Sequence, residues 1–215
     1  MIPARKRRWA EWLVTHYIDY KIKRHFAAVR IHGLVELRAR TAQAPVLLAA
    51  NHTAWWDSMF FLHLANLGIG IDTYALMDAS NLVRLPILGA IGAFGVTLGD
   101  KADGERAVAY AAHLLDRPER AIVIFPQGRE RPSSERPLRF HPGASRIAAL
   151  ARGALVVPCA LRYEHRSRPR PEAFIACGEP CSAEPEILAA AVTLELDRID
   201  RALGDGSIDT WSSYV

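Results

Sequence analysis

Apolar positions recur every three to four residues near the start of the chain and then break into short blocks. Trp9, Trp12, Leu13, Tyr17 and Tyr20 share the helical spacing, which predicts one helix over residues 4–28. Beyond it, apolar runs at 29–37, 46–50, 71–77, 95–98, 121–125, 155–163 and 173–177 read as strands. The runs at 46–50 and 121–125 are continuous, as expected of strands covered on both faces. Helical spacing covers 57–67, with a stop at Gly68, then 79–85, 104–115 and 142–151. A last helix carries Ser182 as its cap and Pro185 in its first turn, with Gly204 just past its end. Strands alternating with helices predict an α/β fold, a single domain with a largely parallel central sheet flanked by helices. The chain divides into an amphipathic helix, residues 1–28, and a domain spanning 29–215.

Composition changes this picture mainly through charge. In residues 1–30 there are eight Lys and Arg against Glu11 and Asp19, whereas residues 31–215 are slightly acidic. Such asymmetry points to an anionic partner, membrane or nucleic acid. Aromatics on one helical face between basic residues suit a helix lying in the bilayer interface. The same stripe also suits a surface helix that packs its aromatics onto a core. Nucleic acid is disfavoured, since no recognised binding motif follows the basic segment. No run of about 18 apolar residues occurs. Residues 9–20 carry Glu11, His16 and Asp19 where a secretory leader needs an apolar stretch. These features predict a peripheral protein on the cytoplasmic face of a membrane. Cys159, Cys177 and Cys181 lack the spacing of a metal site, so no metal and no tightly bound cofactor is expected.

Chemistry concentrates at the ends of the two continuous strands. Asn51-His52-Thr53-Ala54-Trp55-Trp56-Asp57 sits where the 46–50 strand passes into a helix, a usual location for sites in α/β sheets. Five residues on a regular helix leave two side chains about 140° apart, so a turn between them is needed to bring Asp57 to His52. Asp57 then fixes the imidazole tautomer, and His52 takes a proton from a hydroxyl. Spacing alone favours a purely structural His52, hydrogen-bonded at a strand end. The second block, Phe125-Pro126-Gln127-Gly128-Arg129-Glu130-Arg131, is a buried strand breaking into a polar turn. No Gly-x-Ser-x-Gly elbow exists, which disfavours a serine hydrolase.

Together these blocks resemble the glycerolipid acyltransferase superfamily, which includes the 1-acylglycerol-3-phosphate acyltransferases. Asn51-His52-x-x-x-x-Asp57 matches its Asn-His-x-x-x-x-Asp block, and Phe125-Pro126-Gln127-Gly128 matches most of its Phe-Pro-Glu-Gly-Thr-Arg block. Residues 92–99, Phe140-x-Pro142-Gly143-Ala144 and Val156-Val157-Pro158 resemble further segments in the same order. The resemblance implies direct transfer of a fatty acyl group from acyl-CoA or acyl-ACP to a lipid hydroxyl, lysophosphatidic acid or a related lysophospholipid first among them. It casts His52 as general base, Asp57 as its orienting acid, and backbone N–H groups near Gly128 as donors to the oxyanion. Gln127, Gly128, Arg129, Arg131 and Lys101 are the expected substrate-binding residues.

Three departures bear on the acceptor, the first being that Arg129 and Glu130 stand at the family's Thr-Arg positions, with Arg131 following. Gln127 replaces the family Glu, and Leu98-Gly99-Asp100-Lys101 stands where the family usually has a phosphate-holding Arg. Gln both donates and accepts, which suits a hydroxyl-rich acceptor, and the resemblance, through relatives with Gln at this position, implies a glycosylated lipid such as a carotenoid glycoside as the alternative. A catalytically inactive, membrane-binding descendant is the alternative of another class. His63, His113, His141 and His165 are expected at the surface or behind the site. Trp55 and Trp56 are expected to pack or line lipid, and Arg162, Arg166, Arg168 and Arg170 to form a solvated basic loop. The stretches 128–139 and 162–171 are the expected mobile or site-forming loops.

Overall fold

Val46–Ala50 (β2) is buried at every residue because it lies at the centre of an eight-stranded sheet. The computed structural model describes residues 1–213. Its remaining strands are Ala28–His32 (β1), Asp72–Asp78 (β3), Ala93–Val96 (β4), Arg120–Ile124 (β5), Leu155–Glu164 (β6), Glu172–Cys177 (β7) and Ser212–Ser213 (β8). Their order is β4-β3-β5-β2-β6-β7-β1-β8. Among the described residues five of the seven strand–strand pairings are parallel, and β6–β7 and β1–β8 are antiparallel.

The helices are Arg8–His25 (α1), Leu34–Gln43 (α2), Trp56–His63 (α3), Ala79–Arg84 (α4), Ile87–Ala90 (α5), Lys101–Leu114 (α6), Gly143–Leu150 (α7) and Pro185–Asp205 (α8). Alternate residues of β2 face opposite sides of the sheet. Val46, Leu48 and Ala50 join Ile18 and Ile22 of α1 and Phe60 and Phe61 of α3 in one core layer. Leu47 and Ala49 join Val108, Ala111 and Leu114 of α6 and Ile147 of α7 in the other. Burial on both faces explains why β2 reads as one unbroken apolar run. Helix α8 covers Ala160, Phe174 and Ala176 at the β6–β7 end with Val192, Leu196 and Ile199.

Several boundaries differ from the sequence expectation. The first strand stops at His32, because Gly33 turns the chain with φ +77° into α2, which the apolar pattern had merged with the strand. A Cβ at position 33 would lie 2.3 Å from the Cys177 carbonyl oxygen, so both the turn and the close packing require glycine. Helix α3 runs into a π-helical turn, Leu64–Ile69, and ends at Gly70 rather than Gly68. Helix α8 passes Gly204 and ends at Gly206, and Glu184 rather than Ser182 occupies its cap position. Ser182 instead accepts a hydrogen bond from the Glu184 N–H at 3.2 Å. The expected solvated basic loop is largely tied down. Arg162 pairs with Asp200 at 2.6 Å, Arg166 with Asp209 at 2.8 Å, and Arg170 donates to the carbonyls of Lys23 and Arg24. Of the tail, Trp211 stacks near His32, while Tyr214 lies outside the described residues.

His63 is not at the surface. It is 1% exposed in α3, and its Nε2 donates to Asp19 of α1 at 2.9 Å, with Lys23 on the far side of that carboxylate. Burial pushes the His63 imidazole below its ordinary 6.5, with Asp19 opposing. The unfolded chain therefore binds a proton first as pH falls below about 6.5, so folding stability is full above that pH and declines below it. Thermal melts should show the melting temperature dropping between pH 7 and 5.5, and dropping less in His63→Gln. Identical slopes for the two proteins would mean that His63 is not the proton acceptor.

Candidate active site

The parallel strands β2 and β5 end side by side, and the two sequence blocks leave from their carboxyl ends. The first residue past β2, Asn51, is 2% exposed and extends the ladder with its side chain. Its Nδ2 donates to the Leu161 carbonyl at 3.0 Å, and its Oδ1 accepts from the Leu161 N–H at 2.8 Å. This two-point clamp onto β6 fixes where the chain leaves the sheet.

A turn follows, in which the Asp57 N–H donates to the Ala54 carbonyl at 3.0 Å and α3 begins at Trp56. Asp57 lies in the first turn of α3, where the helix dipole favours an anion. It is fully buried. Its Oδ2 accepts from the N–H groups of Thr53 at 2.6 Å and Ala54 at 3.0 Å, and faces His52 Nδ1 at 2.8 Å. The turn thus supplies what a regular helix does not, contact between residues five apart. Its other oxygen, Oδ1, accepts from the Tyr163 phenol of β6.

The second block holds His52 from the opposite side. Phe125 stacks on the imidazole with ring centroids 4.3 Å apart and planes tilted by 20°. Gln127 Oε1 accepts from the His52 N–H at 2.7 Å, and the Arg131 N–H donates to the His52 carbonyl at 2.8 Å. Both backbone groups of His52 are therefore satisfied by the loop after β5. With Nδ1–H directed at Asp57, Nε2 carries a lone pair and has no partner among the described residues, and the His52 side chain is 19% exposed. A clamped imidazole with one open nitrogen can exchange a proton with a group that docks there.

The expected binding residues separate into two groups. Gln127 is 6% exposed and engaged with His52, so it serves the site's framework. Gly128 takes φ +71°, and its N–H donates to the Phe125 carbonyl at 2.9 Å, so that amide is occupied within the turn. The next two amides, of Arg129 and Glu130, have no acceptor among the described residues. Arg129 is exposed, and the Arg131 guanidinium lies 3.8 Å from the Glu135 carboxylate. Lys101 begins α6 at the same end of the sheet but follows β4, three strands from β2, or roughly 14 Å at the usual strand spacing. It does not meet His52.

Tyr163 was not anticipated. It is the polar end of an apolar strand, and nothing in its neighbourhood along the chain marks it. Its contact depends on the β2–β6 pairing, which leaves no local periodicity. Cys159 and Cys177 face each other across β6 and β7 with sulfurs 3.7 Å apart, buried in the core. The contact with Cys177 and burial together raise the Cys159 thiol well above its ordinary range. Among the described residues no group of three or more His, Cys, Asp or Glu is placed to hold a metal ion.

Comparison with known proteins adds three findings. The structure is similar to that of the 1-acyl-sn-glycerophosphate (LPA) acyltransferase PlsC from Thermotoga maritima. The TM-score is 0.55 at 17% identity, over 93% of this chain and 83% of that one. No curated protein sequence matches. Residues 28–162, from β1 through most of β6 and including both blocks, match the model of the acyltransferase family. The chain belongs to the acyltransferase family.

Proposed function

We propose that this protein transfers a fatty acyl group from a thioester, acyl-CoA or acyl-ACP, to the hydroxyl of a membrane lipid. Lysophosphatidic acid or a related lysophospholipid is the first acceptor to test. The observation that carries the reading is the His52 Nδ1–Asp57 contact at 2.8 Å with Nε2 left open. His52 Nε2 takes the proton as the acceptor oxygen attacks the thioester carbon. The carbon–sulfur bond then breaks, and His52 returns the proton to the departing thiolate. Asp57 holds the tautomer throughout and faces the imidazolium formed in between. The amides of Arg129 and Glu130, which have no acceptor among the described residues, are backbone candidates to stabilise the oxyanion.

Gln127 bears on both alternatives raised by the sequence. An amide oxygen can accept from the His52 N–H as a carboxylate can, so Gln in place of Glu preserves the clamp. That supports an intact rather than a decayed site. Because its oxygen is engaged with His52, Gln127 can offer a hydroxyl-rich acceptor only its NH2 group. The exposed Arg129 and the half-exposed Arg131 are the cations suited to a phosphate. The test is turnover of palmitoyl-CoA by purified protein with lysophosphatidic acid, lysophosphatidylcholine and a glycosylated lipid. Transfer to the glycosylated lipid alone would overturn the acceptor assignment, and no turnover with any acceptor, or from an acyl-ACP donor, would overturn the activity.

Peripheral contact with the anionic, cytoplasmic face of a membrane belongs to the same reading. Trp9, Trp12, Leu13, Tyr17 and Tyr20 are all exposed, while Ala10, Thr15, Ile18 and Ile22 form the buried side of α1. The five fall within about 140° of the helix circumference. The turn between α4 and α5 adds exposed Val83, Leu85 and Ile87 around Arg84. No helix among the described residues is long and apolar enough to cross a membrane. Replacing Trp9, Trp12 and Tyr17 together by Ser should weaken co-sedimentation with phosphatidylglycerol vesicles at least about tenfold. That factor needs only about 1.4 kcal/mol, which the burial of one aromatic ring supplies. Unchanged binding would remove α1 as the contact.

A further inference from the structure

We propose that Tyr163 is a positioning residue of the catalytic pair, holding the Asp57 carboxylate in the one rotation that presents Oδ2 to His52. The inference rests on the reading of His52 and Asp57 as base and orienting acid.

The two oxygens of Asp57 have unequal surroundings. Oδ2 receives the Thr53 and Ala54 amides and His52 Nδ1. Oδ1 receives the Tyr163 hydroxyl and no other donor among the described residues. The carboxylate has no solvent exposure, so bulk water has no access to replace a missing donor. Removing the phenol oxygen leaves Oδ1 buried and unpaired, and rotation about the side chain then becomes the cheapest way to recover a hydrogen bond. Any such rotation moves Oδ2 off the imidazole. Because the Thr53 and Ala54 amides belong to the same turn as Asp57, they move with it and supply no reference outside it.

Tyr163 supplies that reference, because it stands on another element. It lies in β6, paired with Ala173 of β7, two residues after Leu161, which Asn51 clamps. Its ring packs against the Phe26–Phe60 pair, with its centroid 5.8 Å from Phe26 and 5.7 Å from Phe60 of α3. The rigid sheet therefore carries the carboxylate's reference point, and β6, on which Tyr163 stands, also clamps Asn51 immediately before His52. Burial, the Asp57 charge and the hydrogen bond to it all raise the phenol well above its ordinary range. The hydroxyl consequently remains a donor across the working range of the protein.

Tyr163 touches no reacting atom, so its effect should reside in kcat. With palmitoyl-CoA and lysophosphatidic acid, Tyr163→Phe should lower kcat by about 10- to 100-fold, the usual cost of a small misplacement, and leave KM for the thioester unchanged. In an Asp57→Asn background, adding Tyr163→Phe should change kcat no further, since the two act through one contact. Without any substrate, the downfield proton resonance of His52 Nδ1–H, identified by its loss in His52→Ala, should move or vanish in Tyr163→Phe. If that variant does not fold, 3-fluorotyrosine at position 163 keeps the shape, alters the acidity of the hydroxyl and should shift the same resonance. A wild-type kcat, an effect confined to KM, full additivity with Asp57→Asn, or an unmoved resonance each overturns the proposal. A resonance that moves in a protein with no acyl transfer upholds the positioning of His52 and defeats the acyltransfer reading instead.

Discussion

Replacing His52 by Ala should lower acyl transfer by about 10²- to 10⁴-fold, the range expected when a general base is lost, with little change in the fold. The side chain is partly exposed, and its neighbours are held by other contacts. Asp57 keeps two backbone donors and Tyr163, and the Gln127 and Arg131 bonds reach the His52 backbone, which alanine retains. Only the stacking on Phe125 and the Nδ1 bond disappear. The check is steady-state turnover beside a thermal melt. A correctly folded variant that retains turnover within a few-fold of wild type would sink the role of His52 as base. Equal loss of activity and melting temperature would instead make the residue structural.

The largest effect on stability should come from Asn51→Ala. This change removes one side chain but orphans two main-chain groups, the N–H and the carbonyl of Leu161, inside the sheet. Each unsatisfied buried polar group costs about 1–3 kcal/mol, so the variant should lose roughly 2–5 kcal/mol. For a domain of this size that corresponds to about 5–15 °C in melting temperature. Asn51→Leu should do no better, since volume is not what is missing. Urea unfolding of the two variants would measure the loss directly, and a change below about 1 kcal/mol in both would show that water or a strand shift satisfies Leu161. Because Leu161 precedes Tyr163 by two residues in β6, activity should suffer even where the variant still folds.

Much of the architecture was legible because its causes are local or repeat at short range. A strand buried on both faces has no polar partner to alternate with, so β2 and β5 stand out as unbroken apolar runs. The His52–Asp57 pair was readable for a similar reason: a strand end, a turn and a helix start all lie within seven residues. Where two periods overlapped, the reading slipped. The apolar residues 29–37 suited a strand, yet Gly33 divides them into the end of β1 and the start of α2, and only its contact with Cys177 in the neighbouring β7 explains why. His63 offered no signal at all, since its partner Asp19 lies 44 residues away.

By itself, the sequence determined the α/β class, the strands that build the centre of the sheet, and the chemistry available where β2 and β5 end. It also determined that α1 carries an aromatic stripe between basic residues, but not which way the stripe faces. Tertiary structure decided that, by burying Ala10, Thr15, Ile18 and Ile22 and leaving the aromatics outside. It likewise turned Gln127 inward onto His52, set Lys101 three strands away, and brought Tyr163 onto Asp57. The physical division is between bonds made along the chain and bonds made across it. Hydrogen bonds within a turn or helix, and burial of a repeating face, impose a spacing that can be read in order. Contacts between strands distant in sequence impose none, because they depend on which strand lies beside which, and that is settled only when the whole sheet packs.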